Sequence, residues 1–390
     1  MIAPAGGAGP GLEGASSVAA MHLRAGAKLG FSAALAVLVV SGGCGSEEAD
    51  REGADASAPV EEQASASDAV LDELGDDDPG CAAAVSVEGE VVWTGAGGLA
   101  DVDAEVAIDE TTVFDVGSTS KPLTATLVLL LDEQGVLDLD APIGTLVDGL
   151  PAWGEEVTLA QLLLHTGGVP DYVELLYDAG YEDADTTTTA AALELLAEEE
   201  QLDGEPGERF EYSNSGYLLA AVAVEEATGE DFADVMAAEV FEPLELDAEV
   251  DPITSDPAKA TSYVGDGDEW EVADSAWEQV GDGAVQTTAT ELVTWAPELW
   301  DPELGEDVAI TRLADAVPDD EAGDDYGYGI EIADDDELGA VLSHSGAWAG
   351  FVADLVALPD DEVAAAVTCN TPDLLDPSEA ARALAAVWRP

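Results

Sequence analysis

"GAVLSHSGAWAGFVADLVALPDDEVAAAVTC" (residues 339–369) decides the fold. It holds three short apolar runs, 339–345, 350–358 and 362–369, separated by turns, and each has the length of a strand. Two more such runs lie at the other end of the chain. Residues 81–87 (CAAAVSV) and 91–99 (VVWTGAGGL), split by Glu-Gly-Glu, read as a hairpin. Between the two ends the signals are mostly helical. Residues 118–134 form a strong helix pattern ended by Gly135, and further helical stretches cover 157–165, 189–200, 214–228 and 290–300. A last amphipathic helix spans 377–388. Strands at both ends with helices between them predict an α/β protein of α+β type. One antiparallel sheet is built from both chain ends and flanked by helices, and a mostly helical lobe is inserted. The sheet lobe takes 79–117 and 338–390, and the helical lobe about 118–337. Antiparallel pairing of the first strand with the last sets Cys81 beside Cys369. That pair is a candidate disulfide in an oxidising compartment, with two buried free thiols as the alternative.

Composition narrows the function. Asp and Glu number 86 against 9 Lys and Arg, a formal charge of −77, yet 47% of the residues are hydrophobic. A disordered acidic chain would be poor in apolar residues, so this one folds. The acidity excludes nucleic acid as a partner, since binding phosphates takes Lys and Arg. Acid spread along the whole chain repels itself at low salt. Molar salt shortens the screening length to about 3 Å, which predicts a salt-loving source.

The amino end reads as an export address. Basic residues after Met21, a candidate true start, precede an apolar run from Leu29 to Val40. That run is shorter than the about 20 residues needed to span a bilayer. Ser41-Gly-Gly-Cys44 follows and resembles a bacterial lipobox, although Ser41 stands where the motif prefers Leu. The resemblance implies a signal segment over residues 1–44 whose lipobox ends at Cys44, with Cys44 lipidated and kept as the first mature residue, and an anchored lipoprotein at the cell envelope; plain secretion is the alternative. Residues 45–78, rich in Ala, Ser, Glu and Asp, read as a disordered acidic tether, with order beginning near Pro79.

Lysine is scarce, which makes "VFDVGSTSKPLTA" (113–125) informative. Ser118 and Lys121 stand three apart at a helix start, so their side chains share a face about 5–6 Å apart at Cβ. A serine needs an adjacent base to attack a carbonyl, and a partly desolvated lysine can act as one. The helix start adds free N–H groups, and Pro122 suits its first turn. Alone, S-x-x-K is equally well read as an N-cap serine and a surface lysine. No G-x-S-x-G or H-E-x-x-H occurs, and the acid runs 319–325 and 334–337 lack calcium-loop spacing. No metal or cofactor is expected.

Two further stretches change the reading. "FEYSNSGYLLAAV" (210–222) carries Tyr212-Ser-Asn214, and "LSHSGAWAGF" (342–351) carries His344-Ser-Gly346. With S-x-x-K they resemble, in order and separation, the serine β-lactamase and penicillin-binding DD-peptidase superfamily. The likeness is to its class C-like branch, which has esterase and D-aminopeptidase members. "TLAQLLLHTGGVPDY" (158–172) and "GDGAVQTTATELVTWA" (281–296) extend the resemblance over about 79–390. It implies a β-lactamase/transpeptidase-like fold in which Ser118 is the nucleophile, Lys121 its activator and Tyr212 a proton relay. Asn214 would bind Lys121 and substrate, and His344 would orient Tyr212 or bind a substrate carboxylate. Gly346 would leave room for the substrate backbone, and the N–H groups of Ser118 and Ala347 would form the oxyanion hole. Trp348 either lines the acyl pocket or simply packs, and His165 reads as a satisfied loop histidine. Implied partners are a peptidoglycan stem peptide, a β-lactam or an ester, with the membrane met only through the lipid. His344 stands where the family has K-T-G lysine, a permanent cation, and histidine is only partly charged near neutrality. Carboxylate-ended substrates and uncharged esters therefore both stay open, as does an inactive binding protein on the same scaffold. Loops 170–187 and 245–280 would shape the pocket.

Overall fold

The computed structural model describes residues 57–390 except 73, 254, 255, 257, 266–268, 306, 320 and 321. The signal segment and Cys44 lie outside these residues. An eight-stranded antiparallel sheet runs in the order 317–318, 325–327, 330–335, 339–348, 351–358, 363–369, 81–87, 90–97. The first and last segments of the chain thus meet at Cys81–Val87 and Val363–Cys369, which pair in register from Cys81↔Cys369 to Val87↔Val363. Cys81 and Cys369 are joined by a disulfide. Both strands are almost wholly buried. The helix Pro377–Trp388 covers one face and Ala289–Trp295 the other. Burial on two faces explains why these strands read as unbroken apolar runs. Their many alanines let the covering helices approach closely.

The sheet takes more of the chain than its sequence suggested. Three strands between Val317 and Asp335 join it, so the sheet lobe resumes near 317 and not at 338. The tether is also corrected. Within 45–78 the segment Ser57–Asp68 is a helix. It is held by polar contacts to the end of the chain and to the second strand. Trp388 Nε1 donates to Ser67 Oγ at 2.9 Å, Trp93 Nε1 to Asp68 Oδ1 at 3.0 Å, and Gln63 Nε2 to the Val387 carbonyl at 3.0 Å.

In the inserted lobe the helix Lys121–Glu133 is buried on every side from Lys121 to Leu131, as an all-round apolar pattern requires. Its end at Gly135 matches the sequence reading. The helix Asn214–Thr228 has the bounds expected from its pattern and stops at left-handed Gly229. Helices Tyr172–Asp178, Phe232–Met236 and Val308–Ala314 are additional. Two hairpin residues, Ala349 and Gly350, both have positive φ (43° and 85°). Such a two-residue turn makes Trp348 and Phe351 a hydrogen-bonded pair. Alternation then turns the main-chain groups of Ser345 and Ala347 away from the strand 351–358. The neighbouring strand 330–335 ends its pairing at Ser343. Residues 344–348 therefore present an open edge.

Candidate active site

Ser118 sits in the turn Gly117–Ser120, which runs directly into the helix Lys121–Glu133. Lys121, wholly buried, donates from Nζ to Ser118 Oγ at 2.9 Å, Asn214 Oδ1 at 2.9 Å and the Asp282 carbonyl at 2.8 Å. Tyr212, two-fifths exposed, donates its hydroxyl to Ser118 Oγ at 3.0 Å. Asn214 opens the helix Asn214–Thr228. Lys121 and Tyr212 thus meet at the Ser118 hydroxyl, with Asn214, 96 positions from Ser118 in sequence, holding Lys121. The stoichiometry of Lys121 is informative. Its partners besides Ser118 are an amide oxygen and a main-chain carbonyl, both able only to accept. A neutral amine donating to those two would have its lone pair left for the Ser118 proton.

Residues without a motif hold this arrangement. Asp171 Oδ2 accepts from both the main-chain N–H of Asn214 (2.7 Å) and its Nδ2 (2.9 Å), which turns Oδ1 toward Lys121. Asp282, whose carbonyl binds Lys121, accepts the Tyr172 hydroxyl at 2.9 Å on Oδ2. Burial pushes the Asp282 carboxyl up to about 6, against the opposing pull of Lys121. His165 is no ordinary loop histidine. It lies with φ 54° and stacks on the Tyr212 ring at 4.2 Å. Its Nδ1 accepts the Ser213 N–H, while Nε2 is buried without a partner. Burial, then the charge of Lys121, holds it well below the ordinary histidine range, so it packs under Tyr212 as a neutral ring.

The open edge 344–348 passes along the nucleophile turn. A Cβ on Gly117, which has φ 51°, would come within 2.7 Å of the Ala347 nitrogen. One on Gly346 would lie 2.0 Å from the Val116 carbonyl oxygen. The bare carbon of Gly346 therefore serves the packing of strand against turn, which corrects the reading that it clears space for substrate. Thr119 Oγ1 adds a hydrogen bond to the His344 carbonyl at 3.1 Å. His344 also differs from expectation. Its side chain is buried, with Nε2 3.0 Å from the Tyr326 hydroxyl and Nδ1 2.7 Å from the Ser345 carbonyl oxygen. Burial and then Lys121 push it down to about 3. It is a neutral ring hydrogen-bonded to Tyr326 and the Ser345 carbonyl and not to Tyr212, and it offers no cation to a carboxylate. The N–H of Ala347 faces the open edge, beside the turn that carries Ser118.

Two cavities flank Ser118. One, of about 180 Å³, is lined by residues including Tyr172, Asn214, Trp277, Asp282 and Trp348. Trp348 thus lines a pocket, with Trp277 tilted against it at 5.4 Å. The segments 170–187 and 245–280 contribute Tyr172, Pro252 and Trp277 to this wall. The other cavity, about 380 Å³, has Tyr212, Glu331, His344 and Ala347 in its lining. No lysine or arginine is among the described residues lining either one. Among the described residues no cluster of three His, Cys, Asp or Glu is placed to hold a metal ion.

The family model described as Beta-lactamase matches residues 68–387. A penicillin-binding protein of Bacillus subtilis (strain 168) is 28% identical over 282 residues, covering 67% of this chain and 62% of that protein. A D-aminopeptidase of Cereibacter sphaeroides is 28% identical over 298 residues, 75% of this chain and 57% of its own length. The chain thus spans less than two thirds of these curated relatives. The octameric penicillin-binding protein homologue from Pyrococcus abyssi superposes with a TM-score of 0.71 at 24% identity, covering 83% of this chain and 75% of that one. EstCE1, a hydrolase with promiscuous acyltransferase activity, gives 0.71 at 20% identity, covering 85% and 98%. At such identities the structural likeness shows the fold.

Proposed function

The chain belongs to the Beta-lactamase family, and on that premise we propose that it is a serine hydrolase that forms an acyl-enzyme through Ser118. The observation that carries this reading is the convergence of Lys121 Nζ and Tyr212 Oη on Ser118 Oγ at 2.9 and 3.0 Å. In the reaction, Ser118 Oγ bonds to the substrate carbonyl carbon while its proton passes to Lys121 Nζ. The negative oxygen that develops is received by the N–H groups of Ser118 and Ala347. As the carbonyl re-forms, the bond to the leaving group breaks, and that group takes a proton through Tyr212. Water then attacks the ester, gives its proton to the same pair, and releases Ser118.

Two substrate readings follow from the family: D-Ala-D-Ala-type peptides or β-lactams, and uncharged esters or amides. The second is favoured by the electrostatics. A carboxylate would meet a neutral His344 and Glu331 in one cavity and Asp282 in the other, with Lys121 committed below the nucleophile. Mass spectrometry after exposure to a p-nitrophenyl ester and to a fluorescent penicillin tests both parts. We expect an acyl adduct with the ester that is absent from Ser118→Ala. An adduct that persists in Ser118→Ala would refute the nucleophile, and labelling by penicillin alone would refute the preference. We also propose that the protein works outside the cytoplasm, anchored by lipid at Cys44. The Cys81–Cys369 bond supports an oxidising compartment, and the apolar run Leu29–Val40 supports export.

A further inference from the structure

The larger cavity beside Ser118, of about 380 Å³, has Tyr212 in its wall, and the smaller one does not. The group that leaves the substrate takes its proton through Tyr212, so it departs into the larger cavity and the acyl half occupies the smaller. The wall of the larger cavity carries one carboxyl group, that of Glu331, and no lysine or arginine among the described residues. Its other lining is hydroxyls, main chain, small apolar side chains and the neutral ring of His344.

Glu331 is open to this space. It belongs to strand 330–335 and pairs with Ser343, the last partner before the open edge 344–348. Unlike the buried acids behind the nucleophile, it is exposed. The hydrogen bond to its carboxylate is long, from Ser343 Oγ to Oε2 at 3.5 Å. No ion pair ties it down: among the described residues those pairs are Arg209–Glu211 and Arg389–Asp361. Asp324 adds negative charge around it, and Arg382 opposes that charge without pairing with Glu331. A cleft whose wall carries one sign of charge concentrates ligands of the other sign.

Taking the serine-hydrolase reading as given, we propose that Glu331 selects the leaving half of the substrate, and that the preferred substrates are esters or amides whose leaving alcohol or amine carries a positive charge. In the reaction Ser118 Oγ bonds to the carbonyl carbon and the bond from that carbon to the leaving oxygen or nitrogen breaks. That atom takes the proton through Tyr212, and the cationic group passes through unchanged, held against Glu331. A carboxylate at the same place on the leaving half is repelled.

The test uses acetates whose leaving alcohol ends in a trimethylammonium group two, three or four carbons from the ester oxygen. Each is paired with its neutral tert-butyl isostere. kcat/KM is the measurement, because it ends at acylation, the step in which the leaving half departs. All assays run in molar salt, so that the diffuse field of a −77 chain, which draws any cation, is screened to about 3 Å while a direct contact persists. An exposed charge contact predicts that wild type prefers the cationic ester by about fivefold at one spacer length. That ratio should fall to about one in Glu331→Gln and below about one in Glu331→Lys. It should survive in Glu208→Gln, which removes an exposed acid lining neither cavity. A second measurement needs no turnover of these esters: the cationic alcohols should inhibit p-nitrophenyl acetate hydrolysis at concentrations about fivefold below their neutral isosteres. Equal kcat/KM and equal inhibition within every pair, with p-nitrophenyl acetate still acetylating Ser118, overturn the cation site alone. So does a preference kept in Glu331→Gln or lost equally in Glu208→Gln. No Ser118 adduct with any ester, p-nitrophenyl acetate included, overturns the cation site and the hydrolase reading together.

Discussion

Replacing Gly346 by alanine should damage catalysis from outside the reacting atoms. The new Cβ would stand 2.0 Å from the Val116 carbonyl oxygen, 2.7 Å from the Thr119 nitrogen and 2.8 Å from Thr119 Oγ1. Comfortable contact is about 3.5 Å, so strand 339–348 and the turn Gly117–Ser120 must part by about 1 Å or more. Two of the three obstacles are main-chain atoms and cannot rotate aside. They flank Ser118, and the strand carries Ala347, so nucleophile and oxyanion donor separate together. A displacement of about 1 Å reduces rate about a hundredfold, equivalent to about 2.7 kcal/mol of barrier. Overpacking removes a further 1–3 kcal/mol, about that much, from stability. The assay is p-nitrophenyl ester hydrolysis beside a thermal melt: kcat should fall about a hundredfold and Tm by several degrees. If Gly346 only made room for substrate, KM would rise while the melt stayed unchanged. Activity within about threefold of wild type, with an unaltered melt, would refute the steric reasoning.

Asn214→Asp puts a carboxylate beside Lys121 Nζ, which favours the protonated amine, so kcat/KM should fall at least about tenfold and the acidic limb of its pH profile, on which the base loses its proton, should move upward. Asp354 is buried against Ser378, with Glu331 and Asp376 raising it and Arg382 opposing, and its carboxyl is pushed up to about 7. Its folded form therefore favours the proton: the stability this gives is present in acid and is lost as pH rises through 7. Asp354→Asn should raise Tm at pH 8 more than at pH 5, and an equal shift at both would contradict the assignment. Reducing Cys81–Cys369, which closes 288 residues of sequence, should lower stability by about 6 kcal/mol in the chain-entropy model, read as a lower melt with a phosphine reductant. Raising salt from millimolar to molar should raise the melting temperature; a fall would contradict charge repulsion as the dominant surface effect.

The parts of the fold with strong periodicity were legible. Helices 214–228 and 377–388 and strand 81–87 have their expected bounds, because the last helix carries a clear apolar stripe and the other two are apolar runs of the right length between turn or capping residues. The helix Ser57–Asp68 was not, since its Ala/Ser/Glu sequence has no apolar stripe and is fixed instead by hydrogen bonds to Trp388 and Trp93. Strands between 317 and 335 were obscured by the acidic turns that join them. Within the site, residues with a motif could be found, but Asp171 and Asp282 could not. Both lie in stretches that extend the family resemblance, but one aspartate among 86 acids reveals no role of its own until the chain folds and sets it against Asn214 or Lys121. His165 was legible as a structural loop histidine, but its stacking on Tyr212 was not, because that contact joins segments 47 positions apart.

The placement of acid around Lys121 joins composition to chemistry. A lysine in so acidic a chain would ordinarily meet a carboxylate, and such a pair holds the ammonium proton firmly. Here all three hydrogen-bond partners of Nζ are uncharged oxygens. The two nearby acids act at one remove: Asp171 grips the Asn214 amide, and Asp282 offers its main chain while its carboxylate turns to Tyr172. Both supply orientation without pairing directly with the charge. Asn214 is the insulating element, since its amide passes the geometry from Asp171 to Lys121 and keeps the carboxylate off the amine. A base that must exchange a proton with Ser118 needs that separation more here than in a neutral protein, because screening by salt weakens distant charges but leaves a direct contact intact.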